Sequence, residues 1–492
     1  MSRRLAGAGS LPSSLLLVPA LLLLVACGGH GSGRERLPER PPDILLLTID
    51  TLRADHLSAW GYERQTSPVL DRIAAEGVRF ERAQVQWPKT APSFASMFTA
   101  TYPKDNGVVR RVGMPIDCRL RLLAEELQAL GYQTHAVVAN GALGREYFFD
   151  QGFDSYLEAW KAEPGGDALA TGARNVTDLA LARLEHLDPD KPLFLWVHYI
   201  DPHAPYRPEG EFRDRFQGDE HFVPGTPVPV DRKAHRRFIG AIGRSQVVDD
   251  GDDLAFYVAR YDAEIRYADA EIGRLVETLR AKGLWDRMLT VMTSDHGESL
   301  GEHRYFFGHG MLAYQTCLHV PLIVRWPGVF EPRVDAEPVE LIHLSPTILD
   351  LAGAPLENGT WAQGRSLLPR LFGERDGGDP IVHAESGYAT NENWIRTVSD
   401  GRWKLLHVPW RSDQRKIAGE GVRWVLYDLE QDPGETENLA ERRPEERERL
   451  AALLQEWADA PRFPVQRDAE ECADDRAVDE RTEQELRALG YL

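Results

Sequence analysis

Three strand-length, nearly continuous apolar runs, each leading into a carboxylate, constrain this chain more than any other feature. They are Ile44–Ile49 before Asp50, Leu193–Ile200 before Asp201, and Met288–Ser294 before Asp295. Strands this apolar suit burial on both faces of a mainly parallel sheet. In such sheets the residues that meet ligands lie at the C-terminal strand ends. Shorter runs, Thr134–Ala139 and Pro321–Val324, read as further strands. Helical patterns fall between them. One starts at Ser67-Pro68 with Val69, Leu70, Ile73 and Ala74 on one face and stops at Gly77. Others span Leu122–Leu130, Thr177–Leu187 and Asp253–Lys282. The alternation predicts an α/β, doubly wound, mainly parallel sheet flanked by helices.

Beyond residue 378 the texture changes to short alternating stretches, Trp394–Val398, Arg402–His407 and Val422–Leu429, followed by a helical pattern over Pro444–Trp457. These predict a small C-terminal antiparallel sheet subdomain. The expected organisation is a main domain over 43–377, a small α+β subdomain over 378–460 and a charged tail over 461–492. Within the main domain, 207–252 loses periodicity and reads as an insertion, either a lid, a binding element or disordered.

The first 26 residues read as a signal segment: Arg3 and Arg4 precede an apolar run, Leu15–Val25, too short to span a membrane comfortably. It closes on Leu24-Val25-Ala26-Cys27, which resembles a bacterial lipobox. That resemblance implies cleavage before Cys27, lipidation of Cys27, a tether over 27–42, and a periplasmic or extracellular enzyme anchored to the cell envelope. The remaining cysteines, Cys118, Cys317 and Cys472, suggest neither a disulfide framework nor a zinc site. A formal net charge of -20 excludes nucleic acid as a partner.

Thr90-Ala91-Pro92-Ser93 introduces a helical pattern with Phe94, Met97 and Phe98 on one side. Proline is tolerated in a first turn, so Thr90 is expected at or just before a helix N-terminus, where the dipole favours an oxyanion. A threonine there is commonly only a cap. Asp50, Asp295 and His296 at strand ends, with the Thr90 hydroxyl, compose a candidate site for one divalent metal ion. A mixed oxygen and nitrogen set suits zinc or manganese, an oxygen-rich one calcium or magnesium.

In this order the motifs resemble the sulfatase family of the alkaline-phosphatase-like superfamily. They are Thr48–His56, Thr66–Phe80, the Ala91-Pro92-Ser93 to Tyr102-Pro103 block, Asp201-Pro202-His203-Ala204-Pro205-Tyr206, Ser294–Glu298, Val320–Val324 and Tyr427–Leu439. The resemblance implies a metal (zinc, manganese or calcium) on Asp50, Asp295 and His296, facing a nucleophile at position 90. It implies that His203 and His309 hold the anionic group or leaving oxygen, and, with a looser match, that His303 assists. The family's nucleophile is a Cys or Ser oxidised to formylglycine, followed by Pro and Arg. Here Thr90 and Phe94 stand instead, and the Lys and His that follow the Gly131-Tyr132 helix end give way to Ala139-Asn140-Gly141. No formylglycine is therefore expected, and Asn140 becomes a candidate substrate-binding residue.

The reading is a metal-dependent hydrolase of small anionic esters, glycan- or lipid-linked, in which Thr90 attacks phosphate rather than sulfate esters. His309 or His303 would protonate the leaving group. Three alternatives stay open: a sulfuric ester hydrolase, a phosphoethanolamine-type phosphotransferase, and a catalytically silent ligand-binding lipoprotein. The transferase resemblance lacks the several N-terminal membrane helices typical of that branch. Retention of the metal ligands counts against silence.

Overall fold

The computed structural model describes residues 34–109, 113–162, 171–354, 362–375, 380–387, 394–409, 422–466 and 476–489. Cys27 and the signal segment lie outside the described residues. Eight strands build the central sheet: β1 (Ile44–Ile49), β2 (Val78–Gln84), β3 (Gln133–Val138), β4 (Ser155–Glu158), β5 (Leu193–Tyr199), β6 (Leu289–Ser294), β7 (His319–Arg325) and β8 (Arg333–Glu340). Their spatial order is β8-β2-β7-β6-β1-β5-β3-β4, and β7 alone runs against the rest. The apolar runs take the centre: β1 lies between β5 and β6, parallel to both, and all three are wholly buried. Their lack of a polar face is explained by helices covering both sides of the sheet.

The flanking helices are α1 (Pro68–Ala75), α2 (Thr90–Thr99), α3 (Leu123–Ala129), α4 (Ala173–Leu184), α5 (Leu254–Ala281) and α6 (Leu344–Leu351). Helix α4 begins four residues earlier than its apolar pattern suggests, because partners outside it satisfy its first turn. The Ala173 amide donates to Asp201 Oδ2 at 2.9 Å and the Arg174 amide to the Tyr267 hydroxyl at 3.0 Å. A separate antiparallel sheet, β9 (Val382–Ser386), β10 (Ile395–Ser399), β11 (Trp403–His407) and β12 (Trp424–Asp428), packs against α7 (Pro444–Asp459) through its own core of Val398, Leu405, Leu426, Leu450 and Leu454.

Four features go beyond the expectation. The end of the tether is docked, Arg34 donating to the Asp350 carboxylate and the Ala354 carbonyl. The charged tail contains a helix, α8 (Glu480–Ala488), whose Leu486 enters the main core and whose Thr482 hydroxyl receives the Trp160 indole N–H at 3.1 Å. Cys118 is disulfide-bonded, contrary to the expectation of no disulfide framework, and Cys317 is a free buried thiol. The insertion 207–252 is ordered with little regular structure. Arg64 holds its Asp219 at 2.7 Å and Arg260 its Asp249 at 2.9 Å, and Phe216, Val228, Ile242 and Val248 are buried beside these ion pairs. No described helix is long and apolar enough to cross a membrane.

Candidate active site

Because β1 and β6 are adjacent and in register, with Ile49 opposite Ser294, the residues that follow them meet at one sheet edge. Asp50, Asp295 and His296 are fully buried there, with one ligand atom from each lying within 4.8 Å of the others. The turn after β1 is strained: the β-branched Thr51 holds φ 55, a conformation costing on the order of 1–3 kcal/mol. It is held in place by its amide on Asp295 Oδ1 at 3.3 Å and its carbonyl on the Tyr261 hydroxyl at 2.7 Å. After β6, His296 turns inward where Gly297 passes the backbone of Thr316; a Cβ at Gly297 would sit 2.1 Å from that carbonyl oxygen.

The His296 Nδ1 lies 2.9 Å from the Gly297 carbonyl. A carbonyl only accepts, so Nδ1 carries the proton and the Nε2 lone pair faces the carboxylates. Nε2 is 3.3 Å from Asp295 and 3.8 Å from Asp50. Burial raises the pKa of both acids. At Asp50 the surrounding imidazoles, first the hydrogen bond from His198, outweigh burial and hold it below the usual carboxylate range, whereas Asp295, facing the Asp50 charge, is pushed above it. Asp50 Oδ1 and Asp295 Oδ2 are buried and accept no hydrogen bond. Two adjacent buried carboxylate oxygens without donors, beside an imidazole lone pair, fit a divalent cation.

Thr90 is the first residue of α2, and Lys89 in the preceding cap position gives no side-chain cap. The Thr90 hydroxyl lies 3.3 Å from His296 Nε2 and 3.4 Å from Asn140 Nδ2, and it also hydrogen-bonds Asp295. Asn140 donates more closely to Asp50 Oδ2, at 2.6 Å, while its Oδ1 caps the turn Gly141–Leu143 through the Ala142 amide. It therefore orients a metal-ligand candidate as much as it could bind a substrate. His309 and His203 complete the group: the His309 ring is 4.2 Å from that of His296 and 5.2 Å from that of His203. Glu298 Oε1 lies 3.1 Å from His309 Nδ1. Burial, aided by Arg236 from the insertion, keeps His203 neutral by lowering its pKa to about 4 against the pull of Asp50.

His303 is not part of this cluster. Its backbone takes a left-handed turn at φ 53 and its ring stacks on Tyr314, 3.6 Å away and nearly parallel, close enough to feel the charges of Glu435 and Lys404. Of the two histidines expected to share in proton transfer, His309 is the one whose ring lies beside that of His296. His198, absent from the sequence-based set, faces Asp50 at 3.5 Å from within β5, with its Nδ1 on the Thr48 hydroxyl at 3.0 Å. Its position in the middle of an apolar run, paired in register with Thr48, is the signal that marks it. Phe94, where the family carries Arg, is fully buried with its ring edge-on to His198 and against Trp196.

Comparison with known proteins bears on this geometry. The family model described as Sulfatase matches residues 42–354, and that described as N-sulphoglucosamine sulphohydrolase, C-terminal, matches 301–459. The chain belongs to the sulfatase family. It is, as an enzyme, an ester hydrolase of that family. It is 27% identical to the choline-sulfatase of Rhizobium meliloti, over 81% of this chain and 82% of the relative. To the N-acetylglucosamine-6-O-sulfatase of Bacteroides thetaiotaomicron it is 26% identical, over 87% of each. Its fold matches the crystal structure of the phosphonate monoester hydrolase of Agrobacterium radiobacter with a TM-score of 0.67 and 23% identity, over 85% of this chain and 95% of that one. The sulfatase fold thus carries both sulfate and phosphonate ester hydrolases among its members.

Proposed function

We propose that this sulfatase-family enzyme uses the Thr90 hydroxyl as its nucleophile and acts on phosphate mono- or diesters ahead of sulfate esters. The observation that carries the reading is the Thr90 oxygen itself, in the first turn of α2 and in contact with His296, Asn140 and Asp295. Asp50, Asp295 and His296, with Thr90 beside them, would hold one divalent ion, zinc, manganese or calcium; the imidazole favours the first two. Such an ion, when bound, supplies Lewis-acid stabilisation and lowers the pKa of a hydroxyl. The chain's own groups do the rest. Thr90 Oγ1 bonds to phosphorus as the bond to the leaving oxygen breaks, its proton passing to Asp295, the carboxylate it already hydrogen-bonds. His309, steadied by Glu298, gives a proton to the leaving oxygen and then takes one from the attacking water. That water displaces Thr90, which recovers its proton. His203 and Asn140 bind the non-bridging oxygens.

The preference for phosphorus rests on chemistry. A sulfo-threonine has no neighbouring hydroxyl to expel it by elimination, the route open to formylglycine, whereas a phospho-threonine is displaced by water. We further propose lipid anchoring at Cys27 on the outer side of a bacterial membrane; the disulfide at Cys118 supports an oxidising compartment. The test of the catalytic reading is turnover of paired aryl phosphate and aryl sulfate esters by the wild type and by Thr90→Ala. Loss of phosphatase activity in the variant is expected; undiminished activity would overturn the reading.

A further inference from the structure

A cavity of about 440 Å³ lies between the end of α1 and the starts of β2 and β8, bordered by Ser58, Asp71, Arg79, Arg333 and Val334 among others. Arg333 and Val78, the first residues of their strands, stand opposite each other in register. Since β2 and β8 run parallel to β1, these starts lie on the sheet edge away from Asp50 and Asp295. Strands of this length span roughly 20 Å, so the cavity is no part of the catalytic cluster.

Arg333 is the group in its wall that the fold leaves unsatisfied. Its Nε and Nη2 are buried and meet no acceptor among the described residues. The carboxylate two residues on is already taken: Asp335 receives Arg370 Nη2 at 2.6 Å and Nε at 3.1 Å. Asp71 is engaged elsewhere, its Oδ1 accepting the Ala59 amide at 3.0 Å and the Ser67 hydroxyl at 3.1 Å. Arg79 adds a second guanidinium, paired with Glu81 at 2.8 Å and lying over the Trp60 ring at 5.0 Å. A guanidinium stays charged when buried, and leaving its buried donors unmet is costly. Nε and Nη2 form one edge of the fork, suited to two oxygens of a single anion. A planar carboxylate would be used up by that edge, whereas a tetrahedral phosphate keeps oxygens for Arg79. We propose that this cavity is a binding site for a phosphate group, remote from Thr90 and held chiefly by Arg333.

Inorganic phosphate and a phospholipid headgroup share that chemistry. The tether reaches the same corner: Arg36 pairs with Glu374 at 2.9 Å and lies over the Phe372 ring at 4.9 Å. Gly373, between those two residues, faces Arg333, whose Cζ and Nε a Cβ there would meet at 3.9 Å. The chain from Cys27 to Arg34 spans at most about 25 Å. A lipid on Cys27 would therefore bring headgroups within reach of the cavity.

The first arm of the test titrates inorganic phosphate into the full-length, metal-loaded protein by calorimetry. Two binding events are expected, one at the catalytic cluster and one at Arg333. Arg333→Leu should weaken one event about tenfold or more and leave the other, with kcat and KM for an aryl phosphate unchanged. Arg333→Lys should fall between, keeping the charge without the fork. In the absence of phosphate, Arg333→Leu should melt no lower than the wild type, because no ion pair is lost. The second arm repeats the titration with soluble dihexanoyl-phosphatidylglycerol in a Thr90→Ala background. Binding that Arg333→Leu weakens in this arm alone assigns the site to headgroups, and in the first arm alone to free phosphate. Equal binding with and without Arg333→Leu in both arms would overturn the proposal. So would a loss of binding in Arg333→Leu that comes with a lower melting temperature and lower kcat and that Arg333→Lys does not partly restore.

Discussion

At the scale of single residues, the site depends on Thr90 being small, buried and placed at a helix start. Thr90→Ala should lower kcat by about three orders of magnitude or more while KM changes little, because the lost interaction is made in the transition state. Thr90→Ser should retain most activity. Asn140→Asp should be worse than Asn140→Ala: it would set a third carboxylate 2.6 Å from Asp50. Steady-state kinetics at saturating metal check both. Asp50, Asp295 and His296 were legible in the sequence because each stands where an apolar run ends, and a parallel sheet brings such ends together. His198 was not legible, since only the pairing of β5 with β1 in register turns it toward Asp50. The His303 ring, on a left-handed backbone, stacks on Tyr314.

At the scale of elements, β1, β5 and β6 could be read directly from their apolar runs, and α1 and α5 from apolar stripes that are buried in the structure. Helix α8 could not. Its sequence is mostly Glu, Arg, Gln and Thr, and the burial of Leu486 and Thr482 depends on partners over 300 positions away. The small sheet offers a pH test of how elements dock. His383 in β9 stacks on Trp457 of α7 at 4.9 Å with an interplanar angle of 7°. Burial, with Lys104 nearby, lowers its pKa to about 3. The folded protein therefore binds fewer protons than the unfolded chain between pH 6.5 and 3, so this contribution is present above pH 6.5 and is lost as pH falls toward 3. His383→Phe should flatten the fall in melting temperature between neutral pH and pH 4, measured by calorimetry. An equally steep acid limb in that variant would contradict the assignment.

At the scale of the whole molecule, a formal net charge of -20 repels an anionic ester, so attraction has to be local. A cation held between Asp50 and Asp295 would supply it, beside the Arg236 guanidinium that acts on His203. Chelation should therefore do more than remove activity. It leaves two buried carboxylates without a countercharge, and the melting temperature should drop by about 5 °C or more, recovering when zinc or manganese is restored. A melting temperature indifferent to chelator would mean that the cluster does not hold a metal. The central claim is that threonine, in a family built around formylglycine, forms the covalent bond to substrate. Mass spectrometry of the Thr90 peptide, acid-quenched during turnover of an aryl phosphate, tests it most directly. A phosphoryl group is expected on Thr90 that disappears when substrate is exhausted and never forms in Thr90→Ala. Sustained turnover with an unmodified Thr90 at every quench time would contradict it.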